Sequence, residues 1–137
     1  MTNHFSNKEL TCKCGCGKQN MQISFMSQLE GLRMAYGKPI RLNSAYRCQK
    51  HDRAIGGAGV HPEGRAIDAR IYGEDAYELA QLAFEFGFTG IGFNQKGPYN
   101  QRFIHLDNLS LPNFPRPRIW SYLFIFAITP MLLQVVC

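Results

Sequence analysis

Apolar residues recur at helical spacing in two stretches of the chain and alternate in several others. Phe25, Leu29, Leu32 and Tyr36 lie three to four residues apart, behind a Ser24 that can cap a helix and ahead of a Gly37 that can stop one. Ala76, Leu79, Ala80 and Ala83 form the apolar stripe of a second, clearer helix over 74–86, closed by Gly87. Pro39 to Tyr46 (PIRLNSAY) alternates weakly and reads as a strand. Arg65–Ile71 (RAIDARI) alternates throughout, so that Ile67, Ala69 and Ile71 share one face and Ala66, Asp68 and Arg70 the other. Phe88–Phe93 (FTGIGF) reads as a short strand and NQKGPYNQ as a turn. Arg102–Asp107 (RFIHLD) reads as a strand with Phe103, His105 and Asp107 on one side. The pattern predicts an α+β domain in which two helices pack on a small, mainly antiparallel sheet.

Between these elements, residues 1–22 read as irregular, and 48–64 as one long glycine-rich loop of the kind that carries function in a small domain. After Leu109 the texture changes. LPNFPRPR is extended by its prolines. From Ile119 to Cys137 runs an uncharged stretch of 19 residues, IWSYLFIFAITPMLLQVVC. It is nearly long enough to cross a bilayer, with RPR on its cytoplasmic side and Trp120 and Tyr122 at the interface. Pro130 and Gln134 argue against that. The expected domain is 1–122. Residues 123–137 are expected outside the fold, as a membrane-associating tail or a foreign addition such as a shifted reading frame.

A chain of 137 residues suits one domain with a core large enough to fold without disulfides. The net charge of +5 favours anionic partners such as bacterial wall polymers, nucleic acid or a membrane surface. The basic residues are scattered, without the aromatic-interleaved stripe of a nucleic-acid binder, so nucleic acid is not an expected partner. The opening MTNHFSNKEL has no apolar core of a signal peptide, so synthesis in a cytoplasm is expected. The five cysteines, Cys12, Cys14, Cys16, Cys48 and Cys137, are an odd number and argue against a complete disulfide framework. For C-x-C-x-C three readings stand: a second metal, a disulfide to Cys48, or simple packing. The usual paired C-x(2–4)-C spacing of a structural zinc site is absent.

The chemistry-bearing residues converge on one polar strand face. His61 ends the glycine-rich loop. Asp68 sits seven residues later, beside the small Ala66, and His105 stands between the apolar Ile104 and Leu106 that point the other way. Two imidazoles and one carboxylate with an open fourth position suit a catalytic zinc rather than a structural one. His4, in the N-terminal segment, and His51, beside Asp52, are not expected as ligands.

GVHPEGRAID followed by FIHLD resembles the signature of the D-Ala-D-Ala carboxypeptidase family of zinc peptidases, S-x-H-x-x-G-x-A-x-D with a later zinc-binding His. His61, Gly64, Ala66 and Asp68 match it residue by residue. FSNKELTCKCGCG, GKPIRLNSAYRC, HDRAIGGAG and RPRIWSY resemble further segments of that family, in its order, so the likeness spans about residues 4 to 122. It implies the family's small α+β (hedgehog/D-Ala-D-Ala peptidase-like) fold, one zinc on His61, Asp68 and His105, and a monomer. It also implies hydrolysis of peptidoglycan peptides near D-amino acids, as carboxypeptidase or endopeptidase, in wall degradation or remodelling. Arg47 is implied as an electrostatic clamp on an oxyanion or a substrate carboxylate, with Ser44 and Tyr46 lining the same pocket. Gly59 stands where the signature has Ser. The acidic residue that related branches carry shortly before the last ligand is missing from Gln101, Arg102 and Phe103. Asp107 is therefore the expected catalytic carboxylate, as general base or as the group orienting a ligand, with Glu63 the weaker alternative. An inactive module of the same fold that binds wall peptide is the other reading.

Overall fold

The computed structural model describes residues 4–122. Four helices and five strands follow in the order α1 (Asn7–Leu10), α2 (Ile23–Tyr36), β1 (Arg41–Ser44), α3 (Gln49–Ala54), β2 (Ala66–Arg70), α4 (Gly73–Glu85), β3 (Gly90–Asn94), β4 (Phe103–Asp107) and β5 (Arg118–Ser121). Single 3-10 turns stand at His61–Glu63 and Tyr99–Gln101. The sheet order is β1-β2-β4-β3-β5, with β5 parallel to β3 and every other neighbouring pair antiparallel. The fold is α+β with a mainly antiparallel sheet, as the alternation along the chain predicts.

The two long helices supply the cover for one sheet face. Phe25, Leu29 and Leu32 of α2 and Leu79 and Ala83 of α4 are fully buried, in one cluster with Ile67, Ala69, Ile91, Ile104 and Leu106 of the strands. Each large side chain removed from water in this way stabilises the fold by about 1.5–3 kcal/mol. The helix ends differ from expectation at one point. Gly37 closes α2 in the left-handed conformation (φ 77°), as a C-terminal glycine should. The helix begins one residue before Ser24, however, with Gln22 as an N-cap that makes no side-chain bond.

Three short elements, α1, α3 and the 3-10 turn of His61, lie where irregular chain was expected, and a short strand closes the expected domain. Residues 1–22 contain α1, started by a capping box in which the Ser6 hydroxyl accepts from the Glu9 backbone N–H and the Glu9 carboxylate accepts from the Ser6 backbone N–H. The long loop 48–64 contains α3 and the 3-10 turn of His61. The start of the uncharged C-terminal run belongs to the sheet: Ile119, Trp120 and Ser121 pair with Ile91, Gly92 and Phe93. The Tyr122 N–H then donates to the Phe93 carbonyl at 3.1 Å. No helix among the described residues is long and apolar enough to cross a membrane. The rest of the run, 123–137, lies outside the described residues.

Candidate metal centre

The sheet face turned away from the helices carries one row of residues in register from edge to edge. Ser44 of β1 pairs with Asp68 of β2, Asp68 with His105 of β4, His105 with Gly92 of β3, and Gly92 with Trp120 of β5. In the next row Ala66 faces Asp107, and Asp107 faces Gly90. Strand alternation puts both rows on the same side. A bulge between Leu42 and Ser44 brings Ser44 into line with Asp68.

His61 reaches this row from above. Its 3-10 turn carries Pro62 at the start and ends on Gly64 at φ 73°. A Cβ on Gly64 would stand 2.1 Å from the Asn20 carbonyl oxygen, and the Gln22 N–H donates to the Gly64 carbonyl at 2.8 Å. The motif glycine is required both for the left-handed turn and for this backbone approach. His61 Nε2 then lies 3.3 Å from Asp68 Oδ2, and His105 Nδ1 lies 3.0 Å from Asp68 Oδ1. The two rings stand edge to face with centroids 5.3 Å apart. His61, Asp68 and His105 are one of two groups among the described residues whose ligand atoms all lie within 4.8 Å of one another.

The far side of each ring fixes which nitrogen is available. His61 Nδ1 lies 2.8 Å from the Ala45 carbonyl oxygen, which can only accept, so this nitrogen carries the hydrogen. His105 Nε2 lies 2.7 Å from Asp107 Oδ2, again an acceptor. In the neutral rings, His61 Nε2 and His105 Nδ1 therefore present lone pairs, and both lone pairs face the Asp68 carboxylate. Acceptors facing acceptors at such distances need a proton or a cation between them. Without a metal a proton takes that place. Burial works against charging His105, but its bonds to Asp107 and Asp68 outweigh it and raise its pKa to about 8. Burial likewise opposes ionising Asp68, yet the neighbouring His61 charge and the hydrogen bonds from both imidazoles hold its carboxyl well below the usual range. The donor set fits one borderline divalent ion with a fourth position left open.

Asp107 is fully buried, and both its oxygens are engaged. Arg116 grips it bidentately (Nε to Oδ1 2.9 Å, Nη2 to Oδ2 2.8 Å), and the Leu109 N–H donates to Oδ1 at 3.2 Å. Burial pushes the carboxyl up, but His105 and Arg116 overcome this and bring it down to about 2. Arg116 reaches Asp107 across Gly90, where a Cβ would lie 2.2 Å from Asp107 Oδ1 and 2.5 Å from Arg116 Nε. Gly92 makes the same kind of room for Trp120: a Cβ there would lie 2.4 Å from the indole nitrogen. The Trp120 ring packs on His105 with centroids 5.2 Å apart, and its Nε1–H is buried with no acceptor within the described protein.

Arg47 stands on the open side of the row. Its Nη1 donates to Asp52 at 2.8 Å and its Nη2 to the Ser44 hydroxyl at 3.0 Å, which leaves Nη2 4.0 Å from Asp68 Oδ2. Asp52 anchors this corner. Its other oxygen accepts from the Gly59 N–H at 2.9 Å, and a Cβ on Gly57 would overlap its carboxylate at 2.1 Å. Gly59 itself has φ 81°, a backbone conformation that a Ser at this position would adopt only with strain.

The structure thus brings together His61, Asp68, His105, Asp107, Arg47 and Ser44. Tyr46 is tied by its backbone N–H to the Leu10 carbonyl, and its ring stays outside this hydrogen-bond network. Glu63 is exposed. His4 pairs with Glu30, far along the chain. Of His51 and Asp52, it is Asp52 whose side chain ties the loop, through Arg47 and the Gly59 N–H. Sequence reasoning missed Asp52, Arg116 and the two glycines of β3; the alternate glycines in FTGIGF were the available signal for side chains crossing that strand.

A family model described as Peptidase M15 matches residues 3–107. No curated protein matches the chain.

Proposed function

The chain belongs to the Peptidase M15 family, whose members are zinc metallopeptidases, and on that premise we propose that it hydrolyses peptidoglycan peptides next to D-amino acids. One zinc ion at this site would be held by His61 Nε2, the Asp68 carboxylate and His105 Nδ1. The observation that carries this reading is the pair of fixed tautomers, which turns both lone pairs onto Asp68. When bound, zinc in such an open site lowers the pKa of its water to about 7 and polarises a carbonyl.

The protein's own groups supply the rest. Asp107, held by Arg116, keeps the proton on His105 Nε2 and the ring in place; with its oxygens engaged and buried, its role is orientation rather than proton transfer. Arg47, half tied to Asp52 and Ser44, offers a guanidinium beside the ligand row to a substrate carboxylate or a developing oxyanion. Trp120 Nε1–H awaits an acceptor on the same face. The net charge of +5 suits an anionic wall polymer.

One observation favours the second reading, a module that binds wall peptide without turnover. The two carboxylates touching the triad, Asp68 and Asp107, are both engaged, which leaves neither as a general base. Incubation of the zinc-loaded chain with purified peptidoglycan, followed by mass spectrometry of the fragments, separates the two. New termini at D-amino acids, abolished by a chelator, are the expected result. Retention on the wall with every peptide intact would establish the module. Cleavage confined to peptides of L-residues would overturn the substrate.

A further inference from the structure

Four thiols converge where the loop after α1 meets the N-terminus of α3. Cys12, Cys14 and Cys16 come from the loop after α1, and Cys48 caps the N-terminus of α3; the Sγ atoms all lie within 4.8 Å of one another. Cys12 and Cys48 are buried, while Cys14 and Cys16 are exposed. This convergence is not what the spacing alone would give. In extended chain, residues two apart lie about 6.6 Å apart on one face. Here Gly15, at φ 88°, folds the segment between Cys14 and Cys16 so that its thiols close on a common centre.

The distances discriminate between the uses of such a cluster. Cys12 Sγ lies 3.5 Å from Cys14 Sγ, and Cys14 Sγ lies 3.7 Å from Cys48 Sγ. A disulfide needs about 2.05 Å. Four sulfurs at the corners of a tetrahedron with metal–sulfur bonds of about 2.3 Å lie about 3.8 Å apart. Backbone N–H groups also point at the sulfurs: Cys48 N to Cys12 Sγ, His51 N to Cys48 Sγ and Lys18 N to Cys16 Sγ, each at 3.4 Å. Such N–H groups are the partners a metal-bound sulfur takes up. Four thiolates this close repel one another unless a cation sits among them. With a divalent ion the set keeps a double negative charge, which Lys13 and Lys18 of the same segment and Lys50 of α3 offset in part.

We propose that Cys12, Cys14, Cys16 and Cys48 bind a second, structural zinc ion. Each thiol gives its proton to solvent as its sulfur–zinc bond forms, and the four sulfurs fill the tetrahedron, leaving no open position for chemistry. The ion staples the N-terminal loop to the start of α3, next to Arg47 and four residues before the Asp52 that holds it. This site stands independently of the peptidase reading.

Metal counting on the full-length chain, purified under reducing conditions with zinc, tests it. The expected wild-type content is two zinc ions per chain. Replacing the exposed pair (Cys14→Ser with Cys16→Ser) should leave one, and His105→Ala should also leave one. With cobalt(II) as the probe, thiolate-to-metal charge-transfer absorption should appear in the wild type and in His105→Ala and be lost in the double serine variant. A wild type with one zinc that is lost in the serine variant and kept in His105→Ala would uphold the thiol site while removing the histidine one. Equal metal content in the serine variant and the wild type would overturn the proposal. So would cobalt without thiolate absorption, or an intact mass short of the hydrogens of a disulfide among these four residues.

Discussion

The two ligand clusters of this chain are built in opposite ways. The histidine set stands on the sheet: Asp68 and His105 are neighbours across two strands, and both imidazoles have a partner behind them, the Ala45 carbonyl for His61 and the Asp107–Arg116 pair for His105. The thiol set stands on the loop after α1 and the N-cap of α3, and backbone N–H groups meet three of its sulfurs. As proposed, the first would offer three ligands and an open position, the second four and none. A site meant for chemistry must be stiff while one coordination position stays open to substrate, so the sheet and the buried supports supply the rigidity. A site meant for cross-linking needs no such scaffold, because the metal itself supplies it. Arg47 touches the sheet through Ser44 and α3 through Asp52.

The sharpest break in this comparison is His105→Ala. It removes a ligand from the open site and strands the buried Asp107–Arg116 pair without its third member. Hydrolysis of wall peptide should fall below detection, and metal analysis should show the histidine-site ion lost. The circular dichroism spectrum should stay native, since the core cluster lies on the other face of the sheet. Wild-type turnover in this variant would overturn the assignment of the site.

Arg47 comes next. Arg47→Ala removes a donor beside the ligand row, a class of change worth about 10²–10³-fold in kcat where the donor meets an oxyanion. Arg47→Lys should hurt nearly as much, because lysine cannot hold Asp52 and Ser44 with one planar group. Steady-state kinetics on a wall-peptide fragment decides this; a fully active Lys variant would reduce Arg47 to a general positive charge. Asp107→Asn should act more mildly and in a different quantity. The amide can still meet the His105 ring but gives up the charge that Arg116 grips. Zinc affinity at the open site should drop about 10–100-fold. At saturating zinc most of the turnover should return. A loss of kcat that added zinc does not restore would give Asp107 a direct part in proton transfer.

How much of this was legible in the sequence follows the same division. The long helices and the three strands β2, β3 and β4 carry periodic apolar residues, and the family-like signature lies on β2, β4 and the turn just before β2, so the core and the ligand row could be read directly. What stayed hidden depends on contacts distant in sequence. Helix α3, QKHDRA, has no apolar stripe; the residue it buries is Asp52, through a bond to Arg47. Strand β5 follows a proline-rich stretch and pairs in parallel with β3, a pairing with no local signature, so its residues fall in the expected domain but do not read as a strand. Arg116 in LPNFPRPR reads as a solvent-facing charge until β3 is seen to offer only Gly90 between it and Asp107. The glycines recorded the contact, but only the fold shows what crosses them.

The smallest effect is expected from removing the chain after Tyr122. The ligands of both clusters lie at or before His105, and the last supports they need are Arg116 and Trp120. Strand β5 ends at Ser121, and Tyr122 closes its pairing by donating to the Phe93 carbonyl and packing its ring against Phe103 and Trp120. A boundary after Tyr122 cuts none of these contacts, and it removes a run of 15 residues without a single charge. Both zinc ions, wall-peptide hydrolysis and the urea midpoint should match the full-length chain, while solubility should rise because an apolar segment is gone. A lower midpoint, with the slope of the transition reduced as well, would show that apolar surface of the domain was packed against the missing residues. In that case the domain would extend past Tyr122, and β5 would have to be read as an interior strand rather than the edge at which the fold is complete.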